Sequence, residues 1–230
     1  DVEAAVRGAY ESEPWPIAKQ TLSTLCQNLD AARATGLPIC QDTGMACVFA
    51  EIGQDVHITG GSFEEAVDEG VRQGYTEGYL RKSVVADPIR RGNTNDNTPA
   101  VIHLRLVKGD QLKITVAPKG FGSENMSVLK MFKPAATVEE IEDFIVSAVD
   151  QAGSNPCPPL IVGVGLGGPL EEVARLATVA SARPIDRRHP EPEIAALEEE
   201  LKEALNMSQI GPMGMGGDTT VLAVNVEYSG

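Results

Sequence analysis

Two loops hold a thiol where chemistry is possible. In PICQDTG, residues 38–44, Cys40 is followed by Gln41 and Asp42 in a stretch with neither helical nor strand periodicity. In GSNPCPP, residues 153–159, Cys157 is crowded by prolines. Each loop runs into a short apolar segment, and small neighbours leave room for a bulky inorganic group beside the sulfur. Single thiolates on widely separated loops suit an iron–sulfur cluster better than a zinc knuckle, whose cysteines come in closely spaced pairs. Gln41 and Asp42 add an amide and an acid–base carboxylate next to the sulfur. Lys119, Gly120, Phe121, Gly122 and Ser123 form a glycine loop whose N–H groups, helped by lysine, suit a carboxylate. Arg81 and Lys82 supply further positive charge; the plain alternative for Arg81 is a solvated residue at a helix C-terminus.

Other candidates are weaker. Cys26 lies on the apolar face of a helix with Leu22, Leu25 and Leu29 and reads as core. Cys47 falls within a strand, and a structural zinc site built from Cys40, Cys47 and Cys157 stays open as an alternative. His57, His103 and His189 form no metal-binding pair. GVGLGG at 163–168 has the wrong spacing for a dinucleotide fingerprint and no acidic residue after a second strand. Its glycines are expected to admit a neighbouring segment closely.

Composition sets limits. The formal charge of −14 argues against nucleic acid and anionic membranes as partners, and obliges any anionic substrate to meet a local positive group. Four scattered cysteines do not make a secreted disulfide scaffold, so a reducing cytoplasmic setting is expected. No apolar run is long enough to span a bilayer, and the first residues carry no signal-peptide core.

The elements that must position these loops can be read in order. Helices are expected within 2–35, with Gly36 as a stop. A strand follows at MACVFAEIG, then a helix capped by Ser62 with Glu65 three residues on. A polar loop covers 86–99. AVIHLRLV and QLKITVAP, separated by Lys108, Gly109 and Asp110, read as a β-hairpin. Thr137 and Glu140 form a second capping box, and LIVGVGLGG reads as a buried strand. Helices follow near 169–182 and 191–207, the second with a solvated acidic face. A final strand covers VLAVNVEYSG. The fold class is therefore α/β: a mixed sheet with a hairpin and flanking helices, in a single compact domain over 1–230.

From about residue 15 onward, PICQDTG, LRKSV, NTPA, KGFGSEN, GSNPCPP with VGVGLGG, and IGPMGMGG occur in an order that resembles the α subunit of class I, iron–sulfur-dependent fumarate hydratases. L-tartrate dehydratase α subunits share the pattern. The resemblance implies a [4Fe–4S] cluster with three cysteine ligands and one open iron acting as a Lewis acid. Cys40 and Cys157 match two of the ligands; the third is expected beyond Gly230, in a chain that ends before it. The implied reaction is the reversible hydration of fumarate to L-malate, a tricarboxylic acid cycle step. Gln41 and Asp42 would be catalytic, and Arg81, Lys119, Gly120, Gly122 and Ser123 would bind the small dicarboxylate. The resemblance also implies a heteromer, α2β2 being one form, whose β subunit supplies basic residues and leaves this chain inactive alone. Asp218 departs from the pattern, which has a basic residue there in many relatives, and a negative charge facing the site would disfavour a dianion. The alternatives are an L-tartrate dehydratase α subunit and a non-catalytic scaffold that binds the β subunit.

Overall fold

Proline, glycine and caps punctuate the helices as expected. In a computed structural model describing residues 1–230, α1 spans Val2–Ser12 and α2 spans Pro16–Thr35, which starts on a proline and stops where Gly36 turns left-handed at φ 68°. Strand β1 is Met45–Gly53 and helix α3 is Phe63–Glu77. Then come β2, Val101–Val107, β3, Leu112–Lys119, and the one-turn α4, Phe121–Glu124. The remainder is α5, Val138–Ala152, β4, Leu160–Leu166, α6, Leu170–Ala182, α7, Pro192–Asn206, a short 3-10 turn and β5, Val221–Tyr228. Ser62 caps α3 by accepting from the Glu65 N–H at 3.4 Å. At α5 the capping box closes in both directions: Thr137 accepts from the Glu140 N–H at 3.2 Å, and Glu140 accepts from the Thr137 N–H at 2.9 Å.

The class is α/β with a mixed sheet, and its packing resolves into two units: residues 1–30 with 125–230, and residues 31–124. In the first unit, β4 and β5 pair in parallel. Alternation along β4 sends Val162 and Val164 to a core shared with Ile145 and Val149 of α5 and Leu201 and Leu205 of α7. Gly163 and Gly165 face the other way, where a Cβ would overlap the carbonyls of Ala177 and Val173 on α6. The GVGLGG glycines thus let a helix lie directly on a strand, as anticipated. A smaller core joins Val6, Leu22 and Cys26 with Leu222.

One expectation for this unit fails. The acidic face of α7 is not wholly solvated, because Glu198 is fully buried and paired with Arg183. The carboxylate also accepts from the Val226 N–H at 2.9 Å and the His189 N–H at 3.3 Å, while Arg183 reaches Glu227 at 2.9 Å. A buried carboxylate persists only with this kind of complete pairing.

The second unit corrects the hairpin. Its sheet has the order β2-β1-β3, so β2 and β3 are separated by β1. β1 runs parallel to β2, with Cys47 opposite Val101, and antiparallel to β3, with Ala50 opposite Ile114. Residues 108–111 therefore do not make a tight hairpin turn; they bridge the end of β1. Two interstrand spacings amount to about 10 Å, within the ~13 Å reach of four extended residues. β1 terminates against this bridge: Gly53 donates to the Gln111 carbonyl at 2.8 Å, and Asp55 donates to the Gly109 carbonyl at 3.0 Å. The pairing partner of both strands precedes them by some fifty residues, which local pattern alone does not reveal.

Candidate functional site

Most of the anticipated site residues meet in the unit 31–124. The loop before β1 turns sharply, and the Asp42 N–H points at the Cys40 sulfur at 3.4 Å. The Asp42 carboxylate accepts from the Phe121 N–H at 3.2 Å and the Gly122 N–H at 3.0 Å. These are the N–H groups that the sequence assigned to a substrate carboxylate; here the chain's own carboxylate takes them. Gly120 lies flush against Asp42, and Ser123 turns its hydroxyl back onto the Gly120 carbonyl at 3.0 Å. Lys119, at the end of β3, pairs with Glu124 at 3.3 Å. Cys40, Gln41 and Asp42 are all exposed.

Arg81 joins the same neighbourhood through its backbone. It lies past the end of α3, exposed, and its carbonyl accepts from the Thr43 hydroxyl at 3.2 Å. Gly44 explains why the loop ends in glycine: it has φ 53°, and a Cβ there would overlap the Lys119 carbonyl.

Two residues that bind this arrangement together were not singled out from sequence. Asn97 is completely buried, in the left-handed conformation at φ 63°. Its side-chain oxygen accepts from the N–H groups of Ser83, at 2.7 Å, and Val84, at 3.0 Å; its amide donates to the Gly44 carbonyl at 2.9 Å. It therefore ties the segment after Arg81 to the end of the Cys40 loop. Tyr75, buried on α3, donates to the Thr43 carbonyl at 2.7 Å, and burial pushes its phenol up. NTPA, which begins at Asn97, carried part of the family resemblance but no assigned role. A left-handed asparagine in a polar loop offers no periodicity by which to recognise burial.

Cys47 is a poor ligand. It is buried within β1, and burial, followed by the charge of Glu124, raises its thiol. A thiol must lose its proton to bind metal, so this environment works against ligation.

Cys157 belongs to the other unit. It is exposed, left-handed at φ 57°, with its N–H bonded to the Ser154 carbonyl at 3.0 Å. The Gly/Met loop braces it: Met213 donates to the Pro158 carbonyl at 2.7 Å, and Gly214 abuts Ser154. Asp218, flagged for its sign, is engaged locally: it accepts from the Trp15 indole N–H at 3.1 Å, and its own N–H donates to buried Glu13 at 3.1 Å. Within either unit, no three His, Cys, Asp or Glu side chains gather as a metal site. No helix is long and apolar enough to cross a membrane.

The family model "Fumarate hydratase (Fumerase)" matches residues 1–230. The chain belongs to the fumarate hydratase family. Its relatives include a Methanocaldococcus jannaschii protein provisionally named L(+)-tartrate dehydratase subunit alpha. It is 40% identical over 236 residues, covering 100% of this chain and 82% of that protein. The L(+)-tartrate dehydratase subunit alpha of Escherichia coli strain K12 is 30% identical over 230 residues, covering 99% of this chain and 76% of its own length. Membership makes this a chain of hydro-lyase type.

Proposed function

We propose that the chain is the α subunit of a hydro-lyase that reversibly hydrates fumarate to L-malate, working with a β subunit and a [4Fe–4S] cluster. The observation that carries the reading is the Cys40 loop: a thiol with an N–H aimed at its sulfur, followed by an amide and a carboxylate fixed by two N–H groups. Hydrogen bonds to sulfur tune such clusters, and Cys40 and Cys157 are both free, exposed thiols. Cys40 and Cys157 would supply two of the three thiolates that the family resemblance implies. When bound, the cluster would supply Lewis acidity toward hydroxyl and carboxylate oxygens.

The chain's own residues then have distinct tasks. Asp42, held by the Phe121 and Gly122 N–H groups, keeps one orientation and uses its remaining lone pairs to hold or orient a proton at the substrate carbon or its partner base. Because those N–H groups are already engaged, the substrate carboxylates fall to Arg81 and to Lys119, which must exchange Glu124 for substrate. Gln41 hydrogen-bonds the substrate from the same turn. Positive charge at these points stabilises the negative charge that builds up on the carboxylate as the adjacent proton leaves.

The experiment is anaerobic reconstitution with iron and sulfide, using the natural full-length subunit with its β partner, followed by turnover of fumarate and L-tartrate. Broad visible absorption, lost in Cys40→Ser and Cys157→Ser but kept in Cys47→Ser, is expected, with fumarate consumed. Stoichiometric zinc without sulfide would refute the reading. Turnover of L-tartrate in place of fumarate supports the second reading, favoured by the names of both relatives.

A further inference from the structure

Glu124 has no part in the reaction as described, yet its carboxylate lies 3.3 Å from the Lys119 ammonium. Lys119 ends β3, and Glu124 ends α4, the single turn that follows. The backbone between them is pinned from both sides. The Glu124 N–H and the Ser123 hydroxyl each donate to the Gly120 carbonyl at 3.0 Å, while the Phe121 and Gly122 N–H groups donate to the Asp42 carboxylate. Only the Glu124 side chain therefore has to move for the pair to open.

The pair opens at little cost. At 3.3 Å it is longer than the about 2.7–2.9 Å of a strong charge-assisted contact. The Glu124 side chain is 43% exposed and the Lys119 side chain 21%, so the carboxylate swings into water while the ammonium keeps its place. An exposed pair of this kind is worth at most about a factor of five in an equilibrium constant. The masked cation also has a counterpart nearby. The Thr43 hydroxyl donates to the Arg81 carbonyl, and the next residue, Gly44, lies flush against the Lys119 carbonyl. Arg81 and Lys119 thus adjoin two consecutive residues of the Cys40 loop. Unmasked, cations on adjoining segments draw any small anion.

We propose that Glu124 is a resident competitor for Lys119, a carboxylate of the chain itself that takes the place of the substrate carboxylate and weakens every small anion binding there by one modest factor. The inference rests on the reading of Lys119 as a substrate-binding residue and names what regulates that contact. A side-chain carboxylate and a substrate carboxylate offer lysine the same acceptor, so the exchange is nearly balanced in contacts. An anion then gains at Lys119 only its surplus over Glu124. Each anion displaces the same side chain, so removing the Glu124 charge strengthens all of them alike. Proton transfer at the substrate does not use Glu124, and kcat stays where it was.

The test compares the wild type with Glu124→Gln, which keeps the size of the side chain and removes its charge. In one arm, inorganic phosphate is titrated into the isotope-labelled 230-residue chain and followed by NMR at the Lys119 and Gly122 amides. In the other, KM and kcat for fumarate and L-tartrate are measured in the reconstituted full-length subunit with its β partner. Phosphate is expected to bind about 2–5-fold tighter to the variant, and KM to fall by the same factor with kcat within about twofold. In a Lys119→Gln background, Glu124→Gln should change nothing. Glu124→Ala repeats the comparison in case glutamine itself bonds Lys119. Phosphate that binds no tighter to either variant overturns the proposal, and so does an active enzyme whose KM does not move. A kcat loss of about tenfold or an effect that survives Lys119→Gln also overturns it, the first by making Glu124 part of the reaction. A wild-type enzyme that turns over neither fumarate nor L-tartrate refutes the enzymatic reading instead, and the phosphate arm still decides the role of Glu124.

Discussion

Asn97 offers the sharpest test of how the site is held. Replacing it with alanine removes three hydrogen bonds at once, to the Ser83 and Val84 N–H groups and to the Gly44 carbonyl. Each buried group left without a partner costs about 1–3 kcal/mol. The vacated volume admits about one water, which re-satisfies part of the loss. Alanine also resists the left-handed φ of 63° that asparagine tolerates, at about 1 kcal/mol. The expected destabilisation of Asn97→Ala is therefore about 3–5 kcal/mol. In a chain of this size that lowers the melting temperature by roughly 2–4 °C per kcal/mol. Urea unfolding gives the free energy, and hydrogen exchange locates it: the Ser83 and Val84 amides should exchange about 100-fold faster while the β4 and β5 amides hold. Asn97→Gly separates the two causes, since glycine restores the backbone conformation without the amide. A loss below about 1 kcal/mol for Asn97→Ala, or unchanged exchange at Ser83 and Val84, would refute the reasoning.

Other perturbations have equally definite outcomes. Glu198→Ala takes the buried carboxylate from Arg183, which is only 15% exposed and keeps Glu227, and leaves the Val226 and His189 N–H groups without their acceptor; it should cost about 3–5 kcal/mol by thermal or urea unfolding, and Glu198→Leu with Arg183→Met should recover part of it. Asp42→Ala frees the Phe121 and Gly122 N–H groups, so the α4 turn should lose amide protection, and turnover in the assembled enzyme should fall at least ~100-fold. Asp96 is held down to about 2 by the Thr98 N–H and hydroxyl and by Arg72. Its folded value lies below the usual carboxylate range, so its contribution is complete above about pH 4 and is lost as pH falls through about 2. An NMR titration of the Thr98 amide should report that midpoint, and Asp96→Asn should abolish it.

Local chemistry was legible in the sequence; long-range pairing was not. Thr137 and Glu140 announce a helix start because a capping box is satisfied within four residues. The glycines of GVGLGG signal close approach because only a missing Cβ admits the α6 backbone. The hairpin expectation failed because β2 and β3 each alternate correctly for pairing, and nothing in 101–119 shows that β1 claims both inner edges. Glu198 escaped notice because its helix reads acidic throughout, and its burial depends on Arg183, fifteen residues earlier. The chemistry-bearing residues of the candidate site were named from their loops. What positions them, Asn97 and Tyr75, was hidden, because a buried polar side chain is identified by its partners and not by its neighbours in sequence.

The insertion of β1 between β2 and β3 also governs how the chain can reach this structure. A hairpin forms by itself in microseconds and then recruits further strands. Here the four-residue bridge at 108–111 joins two strands that share no hydrogen bonds, so closing it gains nothing until β1 arrives. Bringing Cys47 opposite Val101 means closing a loop of some fifty residues first, an entropic cost repaid only when both edges of β1 pair together. The sheet therefore assembles late and as one cooperative step, and the loop that ends at Gly44 acquires its geometry in that same step.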